Sequence, residues 1–545
     1  MARYQVRISW MGSLIRSVID KSLVLACLVL VILCTYTPTI AQRNVRIKIE
    51  RADFLRHDDK IGKNTQSLNG NVLLSHAKTL LYCDSAYMYN DSNTVIAYGS
   101  IHIIQNDSVH LYGNKLTYLG NENLAKIREN VRANKGDTWL YTEHLDYDRL
   151  QDKAYFYKGG KVIDKDNTLT SIDGIYYPNT NDVYFKHDVV GLSPSYELHS
   201  DTLKYNTHSE VISILGPTTI LNTDSTLIES TNGWYDTKKN YARLLEYSVI
   251  SKKTYSITGR QINYDRVTNE ATVRDDMTLV DSVDNVILKG NYGRYNELTK
   301  EAFATKMATM LHVYQGDTLY AHADTFHIVP LGDTSRLIKA YHKVKFYRHD
   351  LQGRCDSLLF DFRDSIGTMY HTPILWGQGN QMTAKEIKLY TRNQVLYKTD
   401  LIEAAFVVNP EPDSSGYNQV KGKLMTGHIK NNDLYRIDVS GNGQTIYYPH
   451  DDEMLIGINR AESADMSIYL KERKIKNITM RVSPTGNMNP PLLLGEEDCK
   501  LKGFRWLDEY RPKRKEDIYE EMAIPDDLAQ TQDVYDGYTF DELGE

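Results

Sequence analysis

Several things are scarce in this 545-residue sequence, and each scarcity closes off a class of protein. It has five cysteines, two of them (Cys27 and Cys34) inside an N-terminal apolar run. Cys83, Cys355 and Cys499 are too few and too scattered to form a disulfide framework, and no CxxC or paired Cys/His spacing suggests zinc. No excess of basic residues is present: the formal charge is -7, which gives no support to a nucleic-acid-binding surface. Phenylalanine is rare, at 11 residues against 40 tyrosines. Beyond the first forty residues no segment is apolar enough to span a membrane as a helix. GxSxG, HExxH and GxxxxGK[ST] are all absent. SGNGQ at 440–444 reads as a β-turn rather than a phosphate cradle, because no helical pattern comes after it. The acid-rich runs at 57–59 and 450–453 are consecutive turn residues whose side chains diverge. No metal, cofactor or catalytic residue is expected.

The N-terminus carries Arg3, Arg7, Arg16 and Lys21 ahead of the apolar run 23–34, with a small residue, Ala41, at a plausible cleavage point. The run is shorter than the roughly 20 residues a spanning helix needs. Residues 1–41 therefore read as a cleaved secretory signal, which makes the mature protein an exported one. A lipoprotein reading through Cys27 is weaker, because little apolar sequence precedes that cysteine.

The abundant tyrosine obeys a pattern. The phrase "aliphatic, any residue, Tyr" recurs at Leu116/Tyr118, Leu145/Tyr147, Ile175/Tyr177, Leu203/Tyr205 and Ile262/Tyr264, with looser copies ending at Tyr89, Tyr235, Tyr295 and Phe360. Neighbouring anchors lie roughly 28 to 33 residues apart, the spacing of solenoids and arrays. Within each unit the apolar pair alternates with polar residues, the period of a β-strand. Polar turns such as RLQDK and RVTNE come next, then an Ala-led segment, and thirty residues hold about three strands of ordinary length. Long stretches of 3.6-residue periodicity are missing from 45–400, which excludes helical repeats. The array is all-β. Propeller blades are longer and the GGxGxD marker of calcium-binding β-helices is missing, but periodicity does not separate a β-helix from a β-jelly-roll.

The start of the mature chain adds a resemblance. Ile47, Ile49 and Glu50 are succeeded by Gly70, Asn71 and Val72, then by Ala86 and Tyr89. This order resembles the OstA/LptA family of lipopolysaccharide-transport proteins. The likeness runs from 45 to about 400 and resumes over 420–482, and residues 501–520 look like the ending of long OstA-like proteins of Bacteroidetes-type bacteria. The repeat region is about twice as long as a minimal LptA-like protein. The C-terminal stretch beyond the repeats is too short for the outer-membrane barrel of LptD relatives and lacks its amphipathic strand series.

The resemblance implies an elongated open β-jelly-roll, a solenoid-like stack of bent strands. Its divisions would be 1–41 signal, 42–400 repeat array, 401–510 C-terminal OstA-like β segment and 511–545 acidic, flexible tail. It implies a periplasmic, non-enzymatic protein that binds lipopolysaccharide and shields its acyl chains in an apolar groove. The groove would be walled by Leu116, Tyr118, Leu145, Tyr147, Ile175, Tyr177, Leu203, Tyr205, Ile262 and Tyr264. Val45, Ile47 and Ile49 would form an edge strand that pairs with other transport components or, head to tail, with another copy. The competing reading is an exported β-helix enzyme or adhesin acting on polysaccharide. For any single Tyr or Leu, plain core packing is the simpler role.

Overall fold

The computed structural model describes residues 45–521, apart from 58–61, 315, 333–334, 412–415, 432, 452–453 and 473. The expected signal at 1–41 and the acidic end from 522 lie outside the described residues. So do most of the acid-rich run at 57–59 and the last two residues of the run at 450–453.

Within that range the chain is antiparallel β-structure, and its only helical pieces are four short 3-10 turns between Pro491 and Tyr519. It divides into two compact units: residues up to 107 together with 114–126, and residues 108–113 together with 127 onward. In the first unit, Thr65–His76 pairs with Thr79–Tyr89, which pairs with Thr94–Gln105. Two short strands, Lys48–Arg51 and Phe54–His57, lie along Thr65–His76.

The second unit repeats one motif. Tyr241–Ser251, Tyr255–Asp265, Glu270–Asp281 and Val286–Asn296 form a continuous antiparallel meander. Thirty residues therefore hold two long strands rather than the three expected from sequence. The stretches that read as extra turns are bulges in mid-strand. In Glu270–Asp281 the register shifts between Arg274 and Met277, and Asp275 and Asp276 both take left-handed φ values of 62° and 58°. His187/Asp188, Glu129/Asn130 and Lys306/Met307 repeat the same corner. Each non-glycine residue held there costs on the order of 1 kcal/mol, so the bend must be maintained by what it lets the strand bury.

What it buries is an interior stripe on both arms of the strand. Ala271 and Val273 precede the corner, Met277 and Leu279 come after it, and all four are buried. Fully burying a Val, Leu or Met contributes about 1.5–3 kcal/mol, so Val273, Met277 and Leu279 outweigh two strained residues. Gly174 shows how tight this interior is. A Cβ there would lie 2.1 Å from the Phe156 ring, so the ring fills the space a side chain would need.

After the strand Thr485–Asn489 the chain turns back and runs over the opposite face of the preceding strands. Phe406, Val408 and Ile446 would alternate outward, but they are buried beneath Leu501, Phe504 and Trp506. Ile374 and Trp376 are covered by Leu507 in the same way. Three glutamines guide this strap. Gln419 donates to Cys499 O (2.8 Å) and accepts from Leu501 N (2.8 Å). Gln381 donates to Arg505 O (2.9 Å) and accepts from Leu507 N (2.7 Å). Gln352 accepts from Arg511 Nε (2.9 Å). Each amide in the first two pairs satisfies one donor and one acceptor of the strap, as a neighbouring β-strand would. Farther on, Ile518 is buried and Lys345 reaches Glu520 O. Residues 511–521, expected to begin the flexible tail, are docked, because Ile518 supplies an apolar anchor near the start of that acidic stretch.

Candidate functional site

The bend decides where the polar groups meet. Strand Asp182–Ser193 pairs Val183 with Tyr205 near one end and Leu192 with Thr168 near the other. Yet Tyr205 Oη lies 2.9 Å from Oδ2 of Asp164, the last residue of strand Gly160–Asp164, just before the turn that leads to Thr168. The two ends of the bent strand therefore face each other. The turns at these ends form two rims along a mouth, with the apolar stripe beneath.

Eight of the ten residues expected to wall a groove are buried in the interior of their own unit. Leu116 and Tyr118 are buried in the first unit; Leu145, Tyr147, Leu203, Tyr205, Ile262 and Tyr264 are buried in the second. Each set packs within the core of its unit. Ile175 and Tyr177 do not join them, which corrects the expected register by one residue. In strand Asp173–Tyr177, Gly174 and Tyr176 face inward while Ile175 and Tyr177 face out, half-buried. The consecutive tyrosines allow either phase, and a one-residue slip exchanges every face. Phe156 selects the observed phase because only Gly174 fits against it.

The rims are laced by side chains that sequence reading missed. Lys135 reaches Pro178 O and Asn181 Oδ1. Tyr205 reaches Asp164, and Lys165 pairs with Glu210. Arg266 lies 3.6 Å from Asp224, Lys252 bonds both oxygens of Glu297 (2.9 and 2.8 Å), and Arg336 pairs with Asp284. Partners such as Lys165/Glu210 and Lys252/Glu297 are 45 residues apart, one and a half repeats. Opposite charges recurring at that offset in polar turns are the signal that could have revealed them. Burial of the Tyr205 ring, then the charge of Asp164, pushes its hydroxyl far above the usual tyrosine range. The hydrogen bond from Lys165 holds the Glu210 carboxyl below its ordinary value. Burial alone would pull Lys252 down, but hydrogen bonding to Glu297 and the charge of Asp224 hold its ammonium above the usual lysine range.

The first unit has its own tie. His76 Nε2 lies 2.8 Å from Val45 O, a carbonyl that can only accept, so Nε2 carries the proton. Nδ1 then accepts from the Tyr118 hydroxyl at 2.5 Å. Of the expected edge strand, Ile49 pairs with Leu74 in the ladder. Val45 and Ile47 precede the ladder and are held by side chains instead. Ile47 N donates to Asn93 Oδ1 (3.0 Å), and Asn93 Nδ2 donates to Val45 O (3.2 Å).

Among the described residues one cluster, Asp317, His349 and Asp350, gathers metal-ligand atoms. His349 Nδ1 lies 2.9 Å from Asp317, and Asp350 is engaged by Arg348 Nε at 2.6 Å, so both carboxylates already have side-chain partners. The three cysteines are free.

Bent antiparallel strands, an alternating apolar interior and a mouth between two rims define a β-jelly-roll repeat protein. Residues 44–201 and 197–310 each match the family described as OstA-like protein, so this part of the chain is OstA-like. No curated protein matches the chain. Among solved structures it is similar to "LptH, the LptA homologous periplasmic component of the conserved lipopolysaccharide transport device from Pseudomonas aeruginosa". The identity is 13% and the TM-score 0.10, over 31% of this chain and 82% of that one.

Proposed function

We propose that the chain is a periplasmic, non-enzymatic carrier that binds lipopolysaccharide, holds its acyl chains in the β-jelly-roll interior and passes it toward the outer membrane. The observation that carries this reading is the repeated interior stripe under a mouth, in a chain whose residues 44–310 are OstA-like. Each methylene moved from water into such an interior contributes about 0.8 kcal/mol. A chain of roughly 12 methylenes would therefore gain about 10 kcal/mol, enough to repay parting the rims. Because the stripe repeats, neighbouring positions offer similar energy, and a lipid can advance without a deep trap. Export by the N-terminal signal and pairing with other transport components through the strand beginning at Lys48 belong to the same proposal.

Photo-crosslinking in cells tests it. A photoreactive residue at Tyr118, Tyr147 or Tyr205 should give lipopolysaccharide adducts, and one at Asp146 or Lys204, which alternate outward, should not. Equal labelling at all five positions, or none at any, would overturn the proposal. Glycan cleavage by the purified lipid-free protein would favour the polysaccharide-active alternative.

A further inference from the structure

The tie at Lys252 differs from the others in carrying polar capacity that nothing in the fold uses. Lys252 Nζ lies 3.3 Å from Asp224 on its own rim and 2.8 Å from Glu297 on the facing rim. Tyr255 Oη also donates to Glu297, at 3.2 Å. Arg266 approaches Asp224 and donates through Nη1 to Tyr235 Oη (2.8 Å) and Asn240 Oδ1 (3.3 Å). Around these pairs lie Thr226 and Tyr264, 0% and 1% exposed. Four buried side-chain atoms here lack a well-aligned hydrogen-bond partner: Asn222 Oδ1, Thr226 Oγ1, Tyr264 Oη and Arg266 Nε. A buried polar atom without a partner costs about 1–3 kcal/mol. Concentrating four at one place is expensive unless something else meets them.

The chemistry of the set is specific. Thr226 and Tyr264 offer hydroxyl protons, Arg266 offers an Nε proton, and Lys252 offers an ammonium whose present partner arrives from the opposite rim. Glu297 shows what the place accepts: an oxyanion held by Lys252 and Tyr255 together. When the rims part, Glu297 moves with its own rim, which also carries Tyr264 and Arg266, while Lys252, Tyr255 and Thr226 stay on the other, so donors face the mouth from both sides. We infer that this station binds a phosphate ester at the mouth, taking the place of the Glu297 carboxylate, and so anchors the headgroup of a phosphorylated amphiphile whose chains lie in the interior. A tetrahedral oxyanion offers several acceptor oxygens to diverging donors, and charge-assisted bonds of this kind are about twice as strong as neutral ones. The amphiphile part of the inference rests on the proposed carrier function. The phosphate part stands on the donor set alone.

The test uses the double variant Thr226→Val/Tyr264→Phe, which removes two buried hydroxyls and keeps every ion pair between the rims, with Tyr205→Phe as a control at another tie. The probes are a glycolipid bearing phosphate monoesters, the same glycolipid after dephosphorylation, and inorganic phosphate observed by phosphorus NMR. The double variant should lose about tenfold or more in affinity for the phosphorylated glycolipid and little for the dephosphorylated one, whereas the control should not discriminate between them. Equal losses for both glycolipids would overturn the station. If neither glycolipid binds the wild-type protein, the carrier reading fails and inorganic phosphate decides the station separately. Saturable binding abolished by the double variant would retain it, and no binding would overturn it.

Discussion

Tyr205 and Asp164 sit 41 residues apart in sequence and on opposite rims, yet the tyrosine hydroxyl donates to the aspartate at 2.9 Å. The ring of Tyr205 is wholly buried, so one side chain both fills the interior and fastens the mouth above it. That double role explains why the repeat prefers tyrosine to phenylalanine: the ring is apolar and its tip reaches the polar edge. Parting the rims therefore costs hydrogen bonds and exposes rings in the same motion.

Tyr205→Phe separates those roles. It keeps the ring and deletes the hydroxyl, leaving Asp164, 2% exposed, with one donor fewer. A loss of about 1–3 kcal/mol is expected, read as a lower urea midpoint with an unchanged m-value. An unchanged midpoint would mean that the tie does not hold the mouth.

The strap makes a separate prediction. Gln381→Ala removes the partners of both Leu507 N and Arg505 O, so amide exchange over 499–511 should accelerate by about tenfold, the equivalent of one net hydrogen bond. Leu507→Ala should cost about 2–4 kcal/mol locally and shift Trp376 fluorescence to the red, since Trp376 is covered by Leu507. Exchange and fluorescence both identical to wild type would show that the strap is not held by these contacts.

Acid should loosen the mouth in a definite window. Glu210 is held below its ordinary value, first by the hydrogen bond from Lys165. A carboxylate whose folded-state value is depressed contributes stability that is fully present above its unfolded value, about 4.3, and lost as pH falls through the folded value. Wild type should therefore be more stable than Glu210→Gln at pH 7, with the gap closing below about pH 4. A gap that persists undiminished at about pH 2.5 would mean that Glu210 acts through packing rather than charge.

Much of this architecture is legible in the sequence, because burial obeys a period. Ile262 and Tyr264 alternate with Gln261 and Asn263, and the structure places that pair inside as the pattern indicates. The strand count is not legible in the same way. Arg274-Asp275-Asp276 has the composition of a turn, and only the pairing of flanking residues across the ladder shows it to be a corner within one strand. The rim ties are also hidden, since Lys252 and Glu297 meet only after the strand bends, and each alone looks like an ordinary turn charge. The strap was hidden for a different reason. Leu501, Leu507 and Ile518 have no strand period, and the strap's partners Gln419, Gln381 and Gln352 are polar residues on what reads as a solvent face.

Strand Asp173–Tyr177 offers the sharpest test of facing, because sequence and structure assign opposite phases there. Tyr176 is buried and inward, whereas Ile175 and Tyr177 face out, with the Tyr177 ring packed edge-on to Tyr184 at 5.8 Å. A photoreactive residue at Tyr176 should crosslink lipid if the interior carries acyl chains, while the same residue at Ile175 or Tyr177 should stay unlabelled. Gly174→Ala supplies an independent check. Its added methyl would meet the Phe156 ring at 2.1 Å, and such overpacking costs about 1–3 kcal/mol. In the shifted phase Gly174 would point outward and the same substitution would be nearly neutral. Labelling at Tyr177 together with a neutral Gly174→Ala would restore the sequence-based register, and labelling at Tyr176 with a destabilised Gly174→Ala would fix the structural one.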